Sequence, residues 1–122
     1  MKNKITLTAS RWHISERDFL AQVLELAKIY HWRSAHFRHA LQREGKYITP
    51  VQGDGVGFPD LVLVRLNEDG TARLCFLELK REGNKPSPTQ KEWLDMLDKV
   101  PGVIAKCVSP SDWDFIVLTL QG

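Results

Sequence analysis

Apolar positions recur along this chain in two different periods, and the changes of period mark out its elements. Phe19, Leu20, Val23, Leu24, Ala27 and Tyr30 follow helical spacing, which predicts a helix between Ser15 and Tyr30. Ser15 is a candidate N-cap, with Asp18 three residues on, close to a capping box. Glu16 lies three, four and seven residues before Phe19, Leu20 and Val23, so it belongs to the inward-facing side of the first turn. A carboxylate there also favours the helix dipole. His31 to Phe37 reads as an extended segment. Phe58–Leu66 and Ala72–Leu79 are short apolar runs with apolar residues at both parities, as in strands buried on both faces. Asn67-Glu68-Asp69-Gly70 between them is a hairpin turn signal. Ser87, Pro88 and Gln90 form an S-x-x-Q capping box with proline at the first helical position. Trp93, Leu94, Met96, Leu97 and Val100 give the apolar side of that second helix, which Pro101-Gly102 ends. Val103 to Val108 reads as a strand. From Ser109 to Leu120, Ser-Pro-Ser-Asp suits a helix start and Phe115–Leu118 suits a strand; a short terminal helix is the favoured reading.

Composition adds a few exclusions. The chain has 122 residues, one domain's worth, and needs no disulfide or metal simply to fold. No apolar stretch approaches the ~20 residues of a membrane span. Met1 to Arg11 is polar and offers no signal-peptide core. Cys75 and Cys107 both lie inside apolar runs, so two buried free thiols in a reducing compartment (cytoplasm, or nucleus) are expected. Without further ligands nearby they make a poor zinc site. A net charge of +2 permits nucleic-acid binding without arguing for it. Any basic footprint must be local. His36, Arg38, His39, Arg43 and Lys46 supply one around a loop holding Pro50, Gly53, Gly55 and Gly57, either as solvated surface or as a DNA-backbone contact.

Asp60, Glu78 and Lys80 are charged residues at the ends of otherwise apolar strands, and charged groups are rarely buried without partners. A three-residue loop Glu68-Asp69-Gly70 places Gly70 where a left-handed residue is wanted. Asn67 then pairs with Thr71, and Asp60 falls directly opposite Glu78, with Lys80 on the same face. A two-residue Asp69-Gly70 turn would shift the register by one and point Asp60 away. Two facing carboxylates repel, and Mg²⁺ or Mn²⁺ would relieve the repulsion. Such an ion activates water and polarises a phosphoryl oxygen, and Lys80 could orient the water or stabilise developing charge. The constellation suits phosphodiester hydrolysis; a purely structural acidic pair is the other reading.

Gly57-Phe58-Pro59-Asp60-Leu61, then Glu78-Leu79-Lys80, then Gln90-Lys91-Glu92-Trp93-Leu94 closely resembles the PD-(D/E)xK nuclease pattern in its VRR-NUC branch. The resemblance covers roughly residues 15–113. It implies a restriction-endonuclease-like α/β domain, a mixed central sheet flanked by helices in the order αβββαβα, with its core at about residues 14–120. It implies Asp60 and Glu78 as metal ligands, joined by the Leu79 backbone carbonyl. Lys80 would be the catalytic lysine, Gln90 would reach into the site from its helix, and Glu16 would match the family's first-helix glutamate, acting on the metal through water. For Gln90 the capping box and the site role compete.

The implied activity is that of a metal-dependent DNA endonuclease. Small stand-alone members resemble four-way junction resolvases, which points to branched DNA and a homodimer. Flaps and a non-catalytic DNA-binding module are the alternatives. Arg33, His36, Arg38, Arg43, Lys46, Arg81 and Lys85 are candidate DNA contacts, through phosphates rather than bases. Trp12, Trp32 and Trp113 lie outside the predicted helix cores and are candidates for an exposed apolar patch.

Overall fold

The computed structural model describes residues 12–37, 40–41, 47–48 and 53–122; Arg38, His39, Arg43, Lys46 and Pro50 lie outside them. The elements run α1 (Glu16–Ile29), β1 (Arg33–His36), β2 (Ala40–Leu41), β3 (Tyr47–Ile48), β4 (Leu61–Leu66), β5 (Ala72–Leu79), α2 (Pro88–Asp98), β6 (Val103–Val108), a 3₁₀ turn (Pro110–Asp112) and α3 (Trp113–Gln121). A four-stranded sheet has the order β1-β4-β5-β6, and β2 and β3 form a separate two-stranded ribbon. β1, β4 and β5 are antiparallel neighbours and β6 joins β5 in parallel. Apart from the ribbon, this is the expected αβββαβα order in a mixed sheet.

Local chemistry sets the boundaries. Ser15 Oγ accepts from the Asp18 N–H at 3.0 Å and starts α1. The hairpin takes the three-residue option: Asn67 N–H donates to Thr71 O at 2.7 Å and Gly70 adopts φ +89. The ladder then runs from Leu61↔Leu77 to Leu66↔Ala72, the register that sets Asp60 opposite Glu78. The terminal segment is helical, as favoured.

Alternate residues of β5 feed two separate cores. Cys75, Leu77 and Leu79 join Leu61, Leu63 and Val108 against Phe19, Val23 and Ala27 of α1 and Ile116 and Leu120 of α3. Phe76 and Leu74 join Val62, Val103 and Ala105 against Leu94 and Leu97 of α2. The sheet is thus the middle of three layers. Glu78 has the parity of Leu74 and Phe76 and therefore faces the α2 side.

Three expectations need correction. Trp32 is no surface candidate: it belongs to the α1/α3 core and its Nε1–H donates to Leu120 O at 2.8 Å. Arg65 lies over the Trp32 ring, 4.8 Å from its centroid, and its Nη1 donates to the same carbonyl at 2.9 Å. β4 is not buried on both faces throughout, because Val64 and Leu66 are exposed. They face the α2 layer, but α2 packs over β6 and β5 and leaves that half of β4 uncovered. Cys75 is buried as expected, whereas Cys107 is only half-buried.

The two sheet edges differ. Asp98 at the end of α2 accepts from the Ala105 N–H of β6 at 3.0 Å and from Lys106 Nζ at 3.2 Å. β1, at the other edge, has every residue exposed.

Candidate active site

The segment Gly57-Phe58-Pro59 is locked to α2 before the chain reaches Asp60. Gly57 has φ +87, and a Cβ there would lie 2.7 Å from Thr89 Cγ2 and 3.1 Å from the Gln90 nitrogen. Only glycine allows both the backbone conformation and the approach. Phe58 packs edge-on to Phe37, Phe76 and Trp93, with ring centroids 6.1, 5.7 and 5.1 Å away. Trp93 Nε1–H is shared between the carbonyls of Asp54 and Val56, at 3.1 and 3.2 Å. On the other side, Phe37 N–H donates to Asp60 O at 2.9 Å and extends the β1–β4 pairing to that residue. Asp60 is therefore fixed from both flanks.

Glu78 closes the centre. It is 1% exposed, and its Oε1 is buried without a hydrogen-bond donor. Oε2 accepts from Gln90 Nε2 at 3.3 Å and faces Lys80 Nζ at 3.6 Å. Burial, then the charge and hydrogen bond of the neighbouring Asp60 carboxyl, push the Glu78 pKa up to about 8, with Lys80 pulling the other way. Without a cation the pair is thus driven to hold a proton at neutral pH. Lys80 is anchored by its backbone, whose N–H donates to Val108 O at 3.0 Å.

Gln90 makes the cap and also reaches Glu78. Its Oε1 accepts from the Ser87 N–H at 2.8 Å while its backbone N–H donates to Ser87 Oγ at 3.2 Å, completing the capping box. The Nε2 end is left for Glu78. A primary amide has a separate acceptor and donor, so one side chain serves both.

A cleft of about 580 Å³ opens beside this centre on the α1 side, lined by Glu16, Arg17, Leu20, Leu24, His36, Asp60 and Leu79. Glu16 is exposed at the lip rather than packed inward, and it lines the same cleft as Asp60. Arg17 escaped the sequence reading, although it precedes Leu20 and Leu24 by three and seven residues and so shares their helix face. Among the other expected contacts, His36 lines the cleft, and Arg81 and Lys85 are exposed on the linker after β5. Glu82 pins that linker by accepting from Ser111 N–H at 3.0 Å and Ser111 Oγ at 2.8 Å. Arg33 stands apart, beside a recess of about 610 Å³ at the hairpin end of the sheet. Arg38, Arg43 and Lys46 lie outside the described residues.

Cys107 pairs with Glu78 in the β5–β6 register. Burial, then the Glu78 charge, raise its thiol to about 11, and burial raises Cys75 to about 12. Neither is a thiolate nucleophile at neutral pH. Among the described residues no three His, Cys, Asp or Glu side chains converge as metal ligands. The side-chain donor set is the Asp60–Glu78 pair, and its hard oxygens and the buried Glu78 Oε1 fit an oxygen-preferring divalent cation.

A mixed sheet between helical layers, with an acidic pair, a lysine and a helix-borne glutamine at one end, defines a nuclease-type domain. The VRR-NUC domain model matches residues 11–109, and the chain belongs to that family. No curated protein and no solved structure matches it. Membership implies DNA as the substrate class, and nuclease domains of this kind generally use divalent metals. No helix among the described residues is long and apolar enough to cross a membrane.

Proposed function

We propose that this chain is a metal-dependent DNA endonuclease that hydrolyses phosphodiester bonds, with Asp60 and Glu78 holding Mg²⁺ or Mn²⁺. The observation that carries the reading is Glu78: a buried carboxyl set against a second carboxyl, with one oxygen lacking any donor. Proteins rarely leave a buried carboxylate oxygen without a partner. When bound, the ion neutralises the pair, polarises a phosphoryl oxygen and lowers the pKa of a bound water. The chain's own groups do the rest. Gln90 holds Glu78 Oε2 in place. Lys80, 19% exposed and beside Glu78, orients the attacking water or stabilises negative charge developing on the phosphoryl group. The Leu79 carbonyl and, through water, Glu16 complete the proposed ligand set. The substrate reading is branched DNA, four-way junctions first, cut by a homodimer whose two-fold axis relates two sites.

One gel tests this. A labelled four-way junction, a flap, a linear duplex and a single strand are each incubated with Mg²⁺, Mn²⁺ or chelator, beside Glu78→Ala. Metal-dependent cutting lost in the variant is expected, with paired symmetric nicks on the junction. Binding without cutting of any substrate would move the assignment to a non-catalytic DNA-binding module.

A further inference from the structure

Arg17 occupies an unfavourable position for its own helix. The first turn of an α-helix favours acidic side chains, and Glu16 and Asp18 satisfy that preference on either side of it. A guanidinium between them is repelled by the N-terminal end of the dipole. Neighbours at i±1 project in different directions, so Glu16 and Asp18 are poorly placed to compensate it. Among the described residues Arg17 has no ion pair or hydrogen bond. It nonetheless lines the cleft that contains Asp60, together with His36 from the edge strand and an apolar surface of Leu20, Leu24 and Leu79. Lys80 and Gln90 approach the acidic pair from the α2 side, so Arg17 and His36 supply the cationic and hydrogen-bonding groups on the α1 side.

We propose that Arg17, with His36 in the same cleft, binds a DNA backbone phosphate adjacent to the one that Asp60 and Glu78 address. The inference rests on the nuclease reading and adds a phosphate subsite to it. A guanidinium presents a planar fork of donors suited to two phosphate oxygens, and the imidazole adds a further donor. Arg17 would then act on strand binding and positioning rather than on bond cleavage.

The test is the salt dependence of DNA binding, measured by anisotropy with a labelled linear duplex and a four-way junction, for wild type, Arg17→Gln, Arg17→Lys and Lys28→Gln. Lys28, in the last turn of α1, lies about 16 Å along the helix from Arg17 and is not among the residues lining the cleft, and it serves as the control. Removing one phosphate contact lowers the slope of log K against log salt by about 0.9 on duplex DNA. Arg17→Gln is expected to show that drop, a roughly tenfold weaker affinity at low salt, a raised KM and a nearly unchanged kcat. Arg17→Lys should keep the slope, and Lys28→Gln should match wild type. The melting temperature of Arg17→Gln should not fall, which separates lost binding from lost folding. If wild type binds and cuts DNA while Arg17→Gln keeps its slope and affinity, the phosphate subsite is wrong and the nuclease reading stands. If wild type neither binds nor cuts DNA, both fall together.

Discussion

Gln90 ties the start of α2 to Glu78: its amide nitrogen donates to Glu78 Oε2 at 3.3 Å while its amide oxygen is held by the Ser87 N–H. The orientation of the amide is therefore set by the helix cap. Gln90→Glu separates the two roles, since glutamate serves equally well at the third position of a capping box. Stability in denaturant should change by less than about 1 kcal/mol. Cutting should fall by about tenfold or more, because the donor to Glu78 is replaced by a third carboxylate. Near-wild-type cutting by this variant would show that the amide only caps the helix.

The raised Glu78 pKa gives the metal-free protein a definite pH dependence. Between its ordinary value of 4.5 and about 8, the folded state holds a proton that the unfolded state has released. The contribution of Glu78 to stability is fully present below the lower value and is lost as pH rises through the higher one, by an amount on the order of a few kcal/mol. Glu78→Gln should flatten the profile and raise the melting temperature near pH 8. Added Mg²⁺ or Mn²⁺ should stabilise wild type most at that end of the range and leave the variant nearly unmoved. Melting curves in chelator and in metal, from pH 5 to 8.5, provide the check.

Gly57→Ala should destabilise by about 1–3 kcal/mol, since the new methyl meets Thr89 at a positive φ. The loss should extend to activity per folded molecule, because the displaced atoms belong to the helix start that carries Gln90. Equilibrium unfolding and a cutting assay on the same sample distinguish the two effects.

Trp32→Phe supplies the converse case. It removes the 2.8 Å bond to Leu120 O and part of a core ring, at a cost of about 1–3 kcal/mol. Trp32 lies toward the hairpin end of the sheet, so cutting per folded molecule should stay within about twofold of wild type, less than 0.5 kcal/mol in barrier.

Much of the centre was legible because one turn controls it. Gly70 selects the hairpin, the hairpin sets the register, and the register puts Asp60 opposite Glu78. Helix starts were legible for a similar reason, since Ser15 and Ser87 act on residues three positions away. What escaped depends on partners distant in sequence. Trp32 sits between elements, and the carbonyl that holds it belongs to Leu120. The exposure of Val64 and Leu66 depends on where α2 lands, which the β4 pattern does not encode. The two ends of the Gln90 amide answer to partners on different elements, so the local motif revealed only one.

The treatment of the sheet margins bears on how copies of this domain can meet. Asp98 occupies the Ala105 N–H of β6, so that margin offers an incoming strand one backbone donor fewer and a charged side chain instead. Among the described residues, β1 keeps its outer side unpaired by any strand. Among the described strands, growth of the sheet by strand addition therefore has a direction: the open margin is β1, whose His36 end adjoins the cleft, and the margin where α2 ends is obstructed.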